Sequence, residues 1–366
     1  MKILFDYAAF TMQATGGVSR CMYDLFRHVS ESKEDSVLLY AGIHRNRYLK
    51  NAPPELKKKI IGIYLPEPWF KQTLFMPFNR FCFQFFARFY RPDLCQFTYY
   101  DPPRTPAACK NVVIVHDMIH EKFPEYFKKN DPQTGWKRKA IRAANAIICV
   151  SENTRHDLES CFDLSGKNVK VIYNGSKMPH EAASSNAFTA KAPFLLYVGS
   201  RKTRYKNFTV VLTAFEGIAK SWPGKLLCFG GGPFTADESA QIFNLGLKGR
   251  VEQYSGDDSL LVAAYRHAFA LVYPSTYEGF GLPPVEAMSL GCPVLSSLSP
   301  PMPEILGDAC LYFNPLSAED LIEKFSSLQE PEIIGNLRKK GKERSKLYQW
   351  ERVAEQTLQL YRSIVE

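Results

Sequence analysis

Two glutamates eight positions apart, Glu278 and Glu286, flank a short segment that contains two glycines. Carboxylates accept hydrogen bonds from hydroxyl groups, and paired hydroxyls such as those of a ribose suit them well. Glycines let the backbone approach a ligand closely, and the amides at the start of a helix attract anions. These residue types together favour a site for a ligand that carries both phosphate groups and hydroxyl groups.

The sequence around the two glutamates predicts a strand, a loop and a helix. Residues 268–273 form an apolar run with the length and content of a buried strand, which Pro274 closes. Pro283 and Pro284 suit the first turn of a helix, and Gly291 is a suitable stop. Both glutamates therefore lie close to a junction between a strand and a helix.

The start of this predicted helix is a place where an anion would bind. We expect the amides of Phe280, Gly281 and Leu282 to contact a phosphate there, because a helix N-terminus carries the positive end of the helix dipole. Glu286 is predicted in the first helical turn, where the dipole favours its ionised form and where it would bind a ribose. Glu278 precedes the turn and would face another part of the same ligand.

The string Tyr-Glu-Gly-Phe-Gly-Leu-Pro-Pro-Val-Glu-Ala, residues 277–287, resembles the signature of the retaining glycosyltransferases of family 4. The resemblance implies the GT-B fold, in which two Rossmann-like doubly wound α/β domains face a central cleft. It also implies a nucleotide-diphosphate sugar as donor substrate, held mainly by the second domain, with the acceptor on the first domain.

A cluster of cations follows the predicted strand Phe194–Val198. The carboxyl edge of a parallel strand is where a doubly wound sheet binds its ligand. In the resembling family this loop supplies an Arg and a Lys that neutralise the diphosphate as the sugar departs. Lys206 matches that Lys. We predict that Arg201, which lies one position after the place of the Arg in the resembling family, takes the role of that Arg, with Arg204 as the alternative.

Two turns in the first half of the chain also resemble family sites. Gly16 and Gly17 precede a predicted helix and resemble an early Gly-Gly turn that would contact the donor. His116 ends a predicted strand and resembles the position that contacts the transferred sugar. We therefore predict that His116, Lys206 and Glu278 are the catalytic residues.

Short apolar runs alternate with helical patterns along the whole chain, which predicts parallel sheets with helices on both faces. At 366 residues the chain is long enough for two domains. We predict domains at residues 1–180 and 190–345, joined by a small, polar linker within residues 175–193. Residues 346–366 show helical spacing, and the resemblance implies that this helix returns to the first domain. The predicted strands are residues 2–7, 36–40, 111–115, 146–150, 169–173, 194–198, 225–229, 251–254 and 271–273.

Positive charge is concentrated in the first half of the chain. Residues 1–180 hold 27 Lys and Arg against 17 Asp and Glu, whereas residues 181–366 hold 19 against 20. A basic surface can meet nucleic acid, anionic lipid or a phosphate-bearing acceptor. We expect no nucleic-acid partner, because the chain contains no recognisable nucleic-acid-binding module.

The cysteine content and the N-terminal sequence point to the cytoplasm. The nine cysteines include no C-x-x-C pair and are odd in number, which indicates neither a disulfide framework nor a zinc cluster. The first residues become polar too early for a secretory leader, and no uncharged run is long enough to span a membrane. The D-x-D pattern that clamps a metal in the other large glycosyltransferase fold is missing, so we expect no metal and no cofactor.

Residues 69–91 are rich in phenylalanine and carry several cations. Pro77 is predicted to divide this segment into two helical pieces. Two interpretations stay open at this point. The segment is either a buried helix with its neighbour in the first domain, or a surface that docks on a membrane.

The sequence thus predicts a cytoplasmic, metal-independent, retaining glycosyltransferase that contacts the inner face of the cell membrane as a peripheral protein. It would move a hexose, mannose or a similar sugar, to a glycan or lipid-linked acceptor in lipopolysaccharide or polysaccharide biosynthesis. Two alternatives remain: a GT-B nucleotide-sugar epimerase or phosphorylase, and a non-catalytic GT-B subunit that binds glycan or membrane.

Overall fold

The computed structural model describes residues 1–67, 69–101, 104–176 and 193–366. These residues form two compact units, one of Met1–Gly175 with Trp350–Glu366, and one of Ser176–Gln349. Most of the predicted linker lies outside the described residues. Each unit is an α/β layer structure built on a parallel sheet, as predicted.

The first unit is built on one parallel sheet. Among the described residues its seven strands are β1 (Lys2–Phe5), β2 (Ser36–His44), β3 (Ile60–Tyr64), β4 (Leu94–Phe97), β5 (Lys110–Val115), β6 (Ala146–Cys149) and β7 (Asn168–Val171). Their spatial order is β3-β2-β1-β4-β5-β6-β7. Strands β1, β2 and β3 therefore extend toward one edge of the sheet, and β4, β5, β6 and β7 extend toward the other edge. β4 and β6 are buried at every residue, as expected for strands that helices cover on both faces.

Helices cover this sheet and supply the loops at its edges. They are α1 (Ala8–Met12), α2 (Gly17–Val29), α3 (Arg47–Lys50), α4 (Pro54–Lys57), α5 (Gln72–Tyr90), α6 (Ile119–Lys122), α7 (Gln133–Ala143) and α8 (Glu152–Cys161).

Helix α5 runs unbroken through Pro77, so the predicted division of residues 69–91 at this proline is wrong. The side chain of Asn79 explains why the helix persists. Its Oδ1 accepts from the amide of Ile43 at 2.8 Å, and its Nδ2 donates to the Ile43 carbonyl and to Thr11 Oγ1, both at 2.9 Å. These bonds fasten the helix to the sheet one half-turn after the proline and offset the backbone hydrogen bond that the proline removes.

The second unit repeats this plan. The six strands among its described residues are β8 (Phe194–Val198), β9 (Lys225–Phe229), β10 (Val251–Tyr254), β11 (Ala270–Tyr273), β12 (Val294–Ser297) and β13 (Leu311–Phe313). Their order is β10-β9-β8-β11-β12-β13, and every pairing is parallel. Strands β8, β9 and β10 extend toward one edge of the sheet, and β11, β12 and β13 extend toward the other. The switch point of the topology therefore lies between β8 and β11, and doubly wound sheets bind ligands at such a point.

Seven helices of the second unit lie among the described residues: α9 (Phe208–Ile218), α10 (Ala236–Asn244), α11 (Asp258–His267), α12 (Leu282–Ser289), α13 (Met302–Leu306), α14 (Ala318–Leu328) and α15 (Pro331–Ser345). Helices α9 and α14 pack together on the sheet. Phe215 and Leu321 lie in the core at this contact and are almost completely buried.

The C-terminal helix α16 (Trp350–Val365) belongs to the first unit, as predicted. It packs against α2, where the Trp350 ring stacks on His28 with 5.9 Å between ring centroids. Tyr361 is fully buried and donates its hydroxyl hydrogen to Gln96 Oε1 at 2.6 Å. The backbone at Gly175 passes so close to Trp350 that an added Cβ would lie 2.4 Å from the ring.

The carboxyl group of Asp6 is fully buried just after β1. Its Oδ1 accepts hydrogen bonds from the amides of Ala8 at 3.1 Å and Thr98 at 3.0 Å, and from the Thr98 hydroxyl. Its Oδ2 has no hydrogen-bond partner among the described residues. Burial raises the pKa of Asp6 from 3.8 to about 7 despite these hydrogen bonds.

Replacing Asp6 with Asn is expected to change how stability depends on pH. As the pH rises from about 4 to about 7, the unfolded chain releases this proton first, so the free energy of unfolding of the wild type falls. Asp6→Asn keeps the accepting oxygen and removes the titration. Urea unfolding at a series of pH values should show that the free energy of unfolding of the variant, relative to that of the wild type, increases by on the order of 3 kcal/mol across this pH range. Parallel pH curves for the two proteins would contradict the burial argument.

Candidate functional site

Two loops meet at the switch point of the second sheet, one after β8 and one after β11. Lys206 Nζ in the first loop donates to Glu278 Oε1 in the second at 2.5 Å. The amide of Thr276 donates to the Tyr205 carbonyl at 2.8 Å. Because β8 and β11 are neighbouring parallel strands, residues 72 positions apart in the sequence become direct partners at one sheet edge.

The backbone next to Lys206 is held in place by Asn207. This residue adopts a left-handed conformation with φ +51°, which asparagine tolerates better than most residues. Its Nδ2 donates to the carbonyls of Pro315 at 2.7 Å and Pro274 at 3.3 Å. The short 3-10 turn Arg204–Lys206 therefore ends in a fixed position, with Lys206 at the strand edge.

The pair of Lys206 and Glu278 is largely buried, with 18% and 15% of the two side chains exposed. The ammonium also lies over the rings of Tyr205 and Tyr273, at 5.3 and 5.6 Å from their centroids. Burial and the adjacent Glu278 carboxylate raise the pKa of Tyr273 well above its usual range, so its phenol stays protonated. A cation and a carboxylate thus share one site of reduced exposure, where electrostatic interactions are stronger than in water.

The glycine turn before α12 is shaped by close packing. Gly281 precedes the helix with φ +96°, and an added Cβ would lie 2.7 Å from Met302 Cε. Pro283 and Pro284 occupy the first turn as predicted, and neither has an N–H group. Leu282, the first residue of the helix, therefore supplies the first-turn amide. The predicted anion contacts at Phe280, Gly281 and Leu282 depend on this short run of backbone.

The prediction that Glu286 lies in the first turn of its helix is wrong. The helix begins at Leu282, so Glu286 is the fifth residue and lies in the second turn. Its side chain is buried, and its Oε2 accepts a hydrogen bond from the hydroxyl of the fully buried Tyr265 at 3.0 Å. A hydrogen bond from α11 therefore orients this carboxylate, in place of the dipole at the first turn. Tyr265 was not among the predicted site residues, because no local pattern in the sequence links it to Glu286.

Arg201 lies inside the second unit, with none of its side chain exposed. Its Nε donates to Glu238 Oε1 at 2.9 Å, its Nη1 to the Gly230 carbonyl at 2.8 Å and its Nη2 to the Gly232 carbonyl at 2.6 Å. The glycines at 230–232 all have positive φ, and an added Cβ at Gly231 would lie 2.7 Å from Nη1. The guanidinium thus holds the loop after β9 by internal hydrogen bonds, so the geometry gives Arg201 a positioning role.

His116 follows β5 in the first unit, and its amide donates to the Tyr100 hydroxyl oxygen at 2.9 Å. Burial lowers the pKa of His116 to about 4, so the imidazole is neutral at pH 7. Its Nε2 is buried without a hydrogen-bond partner among the described residues. The next loop is fixed by the buried Lys137, which donates to the Asp117 carbonyl at 2.9 Å and to Glu121 at 2.6 Å. A neutral imidazole in this position is suited to a hydrogen bond with a hydroxyl group.

Gly16 and Gly17 lie at the start of α2 in the first unit. The side chain of Gln13 occupies the space beside Gly16. Its Oε1 accepts from the Ser19 amide at 2.9 Å, and an added Cβ at Gly16 would lie 2.7 Å from this oxygen. An added Cβ at Gly17 would meet open space. The structure thus ties Gly16 to its local packing and leaves room for a ligand beside Gly17.

The described residues contain no group of three or more His, Cys, Asp and Glu side chains that could hold a metal ion. Within the second unit the structure brings together Lys206 and Glu278, and it places Glu286 and the Phe280–Leu282 backbone on the loop and helix that follow Glu278. Gly16, Gly17 and His116 belong to the first unit.

Two family models match the chain in succession. The model described as Glycosyltransferase Family 4 matches residues 15–176, and the model described as Glycosyl transferases group 1 matches residues 180–347. O-antigen chain mannosyltransferase B of Escherichia coli is 28% identical over 279 residues, which are 72% of this chain and 72% of that protein. O-antigen chain mannosyltransferase RfbU of Salmonella typhimurium is 25% identical over 211 residues, 57% of this chain and 58% of that protein.

Solved structures share the fold over nearly the whole chain. Sucrose-phosphate synthase from Thermosynechococcus elongatus superimposes with a TM-score of 0.78 at 21% identity, covering 99% of this chain and 98% of that one. Anabaena Alr3699/HepE in complex with UDP-glucose gives a TM-score of 0.74 at 18% identity, covering 99% and 100%. These similarities confirm the predicted GT-B fold.

Arg201→Lys should destabilise the second unit although it preserves the charge. A lysine cannot bond Glu238 and two loop carbonyls at once, so buried acceptors would lose their donors. We expect a loss of about 2–4 kcal/mol in the free energy of unfolding, measured by urea titration. Arg204→Lys, at an exposed arginine of the same loop, is the matched control and should change stability by less than ~0.5 kcal/mol. Equal stability of the two variants would rule out the positioning role.

Proposed function

We propose that this chain, which belongs to glycosyltransferase family 4, is a retaining enzyme that transfers a hexose from a nucleotide-diphosphate sugar to a glycan or lipid-linked acceptor. The observation that carries the proposal is the contact between Lys206 and Glu278 at the switch point of the second sheet. A cation and a carboxylate side by side provide one partner for a diphosphate and one for sugar hydroxyls.

Lys206 would stabilise the negative charge that develops on the departing diphosphate. The backbone amides of Phe280, Gly281 and Leu282 would add hydrogen bonds to the same phosphates, which is electrostatic catalysis by groups already in place. Arg201 would act indirectly, by holding the glycine loop that borders the site. Lys206 would have to exchange Glu278 for the diphosphate as its partner, or share its charge between them.

Glu286 would accept hydrogen bonds from the ribose hydroxyls of the donor. Its carboxylate is buried and held by the Tyr265 hydroxyl, so little side-chain entropy would be lost when the ribose binds. The family resemblance assigns the transferred sugar to Glu278 and His116. The neutral imidazole of His116 could exchange a hydrogen bond with a sugar hydroxyl but would not serve as an acid at pH 7.

Retention would follow from attack of the acceptor on the face of the sugar that the diphosphate leaves. In this proposal the diphosphate itself takes the proton of the acceptor hydroxyl, so no enzyme carboxylate needs to form a covalent bond. Metal independence is part of the proposal, because Lys206 and the helix amides can supply the positive charge that a metal supplies elsewhere.

Mannose is the sugar that the relatives favour, since both O-antigen proteins are named as mannosyltransferases. A cell-surface polysaccharide, such as a lipopolysaccharide, is the matching acceptor class. We place the reaction in the cytoplasm at the inner face of the cell membrane, where a lipid-linked acceptor would be found.

A transfer assay tests this function. Purified enzyme is incubated in EDTA with GDP-mannose, UDP-glucose or ADP-glucose and a lipid-linked oligosaccharide acceptor, and the product is analysed by mass spectrometry and NMR. We expect transfer from one donor, with the anomeric configuration of the donor kept in the product. Lys206→Met should lower kcat/KM by about 100- to 1000-fold, as removal of a charge-stabilising group does in other enzymes.

Lys202→Met is the matched control, because Lys202 is an exposed cation of the same loop. This variant should keep activity within a few-fold of the wild type. An inverted anomeric centre would reject the retaining mechanism, and activity that requires a divalent cation would reject metal independence.

A further inference from the structure

Helix α5 is apolar on its outward face as well as on the face that it buries. At 100° per residue the outward apolar side chains fall within an arc of about 80°, on the side opposite the buried ones. A surface helix normally presents polar side chains to solvent, and a contiguous exposed apolar patch marks an interaction site. The buried residues are Met76, Asn79, Phe83 and Ala87. The exposed ones, named the apolar stripe from here on, are Leu74 (59% exposed), Phe78 (49%), Phe81 (59%), Phe85 (52%) and Phe89 (83%).

The segment just ahead of α5 continues the exposed apolar surface. Trp69 lies three residues before the helix and is 73% exposed. Tryptophan is enriched where membrane headgroups meet hydrocarbon, because its ring is apolar and its N–H is polar. The stripe together with Trp69 therefore has the composition of an interfacial helix.

The charges around the apolar stripe are positive. Residues 69–91 contain no Asp or Glu. The exposed cations Lys71, Arg88 and Arg91 make no ion pair with any residue that the structure describes. A groove of about 460 Å³ beside the stripe brings Arg88 and Arg104 next to Phe85. Guanidinium groups bind phosphate through two parallel hydrogen bonds, so this groove suits the phosphate of a lipid headgroup.

We propose that the apolar stripe docks on a membrane that contains anionic phospholipid, with α5 lying in the plane of the interface. The aromatic side chains would enter the boundary between headgroups and acyl chains, and the flanking cations would meet the phosphates. The described part of the chain contains no helix that qualifies as a transmembrane span. The inference rests on the proposed function in one respect: docking would bring the enzyme to a lipid-linked acceptor.

The charge pattern favours a membrane over a second copy of the chain as the partner. In a symmetric dimer formed through the stripe, the same unpaired cations of both copies would meet across the interface. Like charges at an interface are unfavourable, whereas an anionic surface complements them. The excess of positive charge in residues 1–180 adds to the attraction over a longer range.

Vesicle sedimentation tests the proposal with the full chain. Vesicles of phosphatidylcholine alone are compared with vesicles that contain about one third phosphatidylglycerol, and we expect at least tenfold stronger binding to the anionic ones. The double variant Phe81→Ser with Phe85→Ser should bind the anionic vesicles with an affinity at least about tenfold lower than that of the wild type. Arg88→Gln should weaken binding to the anionic vesicles a few-fold, and added salt should have the same effect.

Phe243→Ser and Arg338→Gln are the matched controls, since both residues are exposed on the second unit. They should bind vesicles as the wild type does. Because every changed side chain is exposed, urea unfolding should show that all variants remain folded. Wild type that binds neither vesicle, or a double variant that binds as the wild type does, would overturn the proposal. Concentration-dependent dimers that the double variant abolishes would show that a second copy covers the stripe instead.

Transfer to a water-soluble acceptor analogue separates this inference from the proposed function. The double variant at Phe81 and Phe85 should keep that activity and lose activity toward acceptor embedded in vesicles. Wild type that binds vesicles but transfers no sugar to either acceptor would count against the proposed function and leave the docking surface intact.

Discussion

The ion pair of Lys206 with Glu278 is the contact on which the proposed site depends. It joins two loops that are far apart in sequence, and it exists because β8 and β11 are parallel neighbours at the switch point of the second sheet. Removing either partner would leave a charge in a place of low exposure, which is costly. A bound diphosphate offers Lys206 another anionic partner. The same contact therefore orders the loops without ligand and provides the charge that a donor needs.

Arg201 and Lys206 lie five positions apart in one loop, and they have different roles because they differ in burial. Arg201 is fully enclosed, and its planar fork of donors holds the glycine loop at residues 230–232. Lys206 stays partly exposed at the sheet edge, next to Glu278. A rigid arginine suits a fixed set of carbonyls, whereas a flexible lysine can change its partner. The positions of these side chains in the fold, more than their charge, decide which of them can meet a ligand.

The sequence predicted the parts of the structure that local patterns determine. The strand, glycine turn and proline start around α12 were predicted, and Phe194–Val198, Lys225–Phe229 and Val251–Tyr254 have the predicted bounds. Contacts between distant segments were not predictable. The partner of Glu286 lies 21 positions away on α11, and the partner of Arg201 lies 37 positions away on α10. Strands β3, β4, β12 and β13 were not predicted, because a run of five residues or fewer carries a weak periodic signal that does not mark every strand. The persistence of α5 through Pro77 depends on the tertiary bonds of Asn79, which no local pattern reveals.

Calorimetric binding of the nucleoside diphosphate to Glu278→Gln is the most direct test of this account. Loss of the carboxylate should release Lys206 for the phosphates, so the affinity for the nucleoside diphosphate should stay the same or increase, while turnover of the nucleotide sugar falls. Lys206→Met should weaken the same binding by about tenfold or more. Equal weakening of diphosphate binding in both variants would contradict the proposal that Lys206 binds the diphosphate while Glu278 binds the sugar. Unchanged binding in Lys206→Met would contradict the site itself.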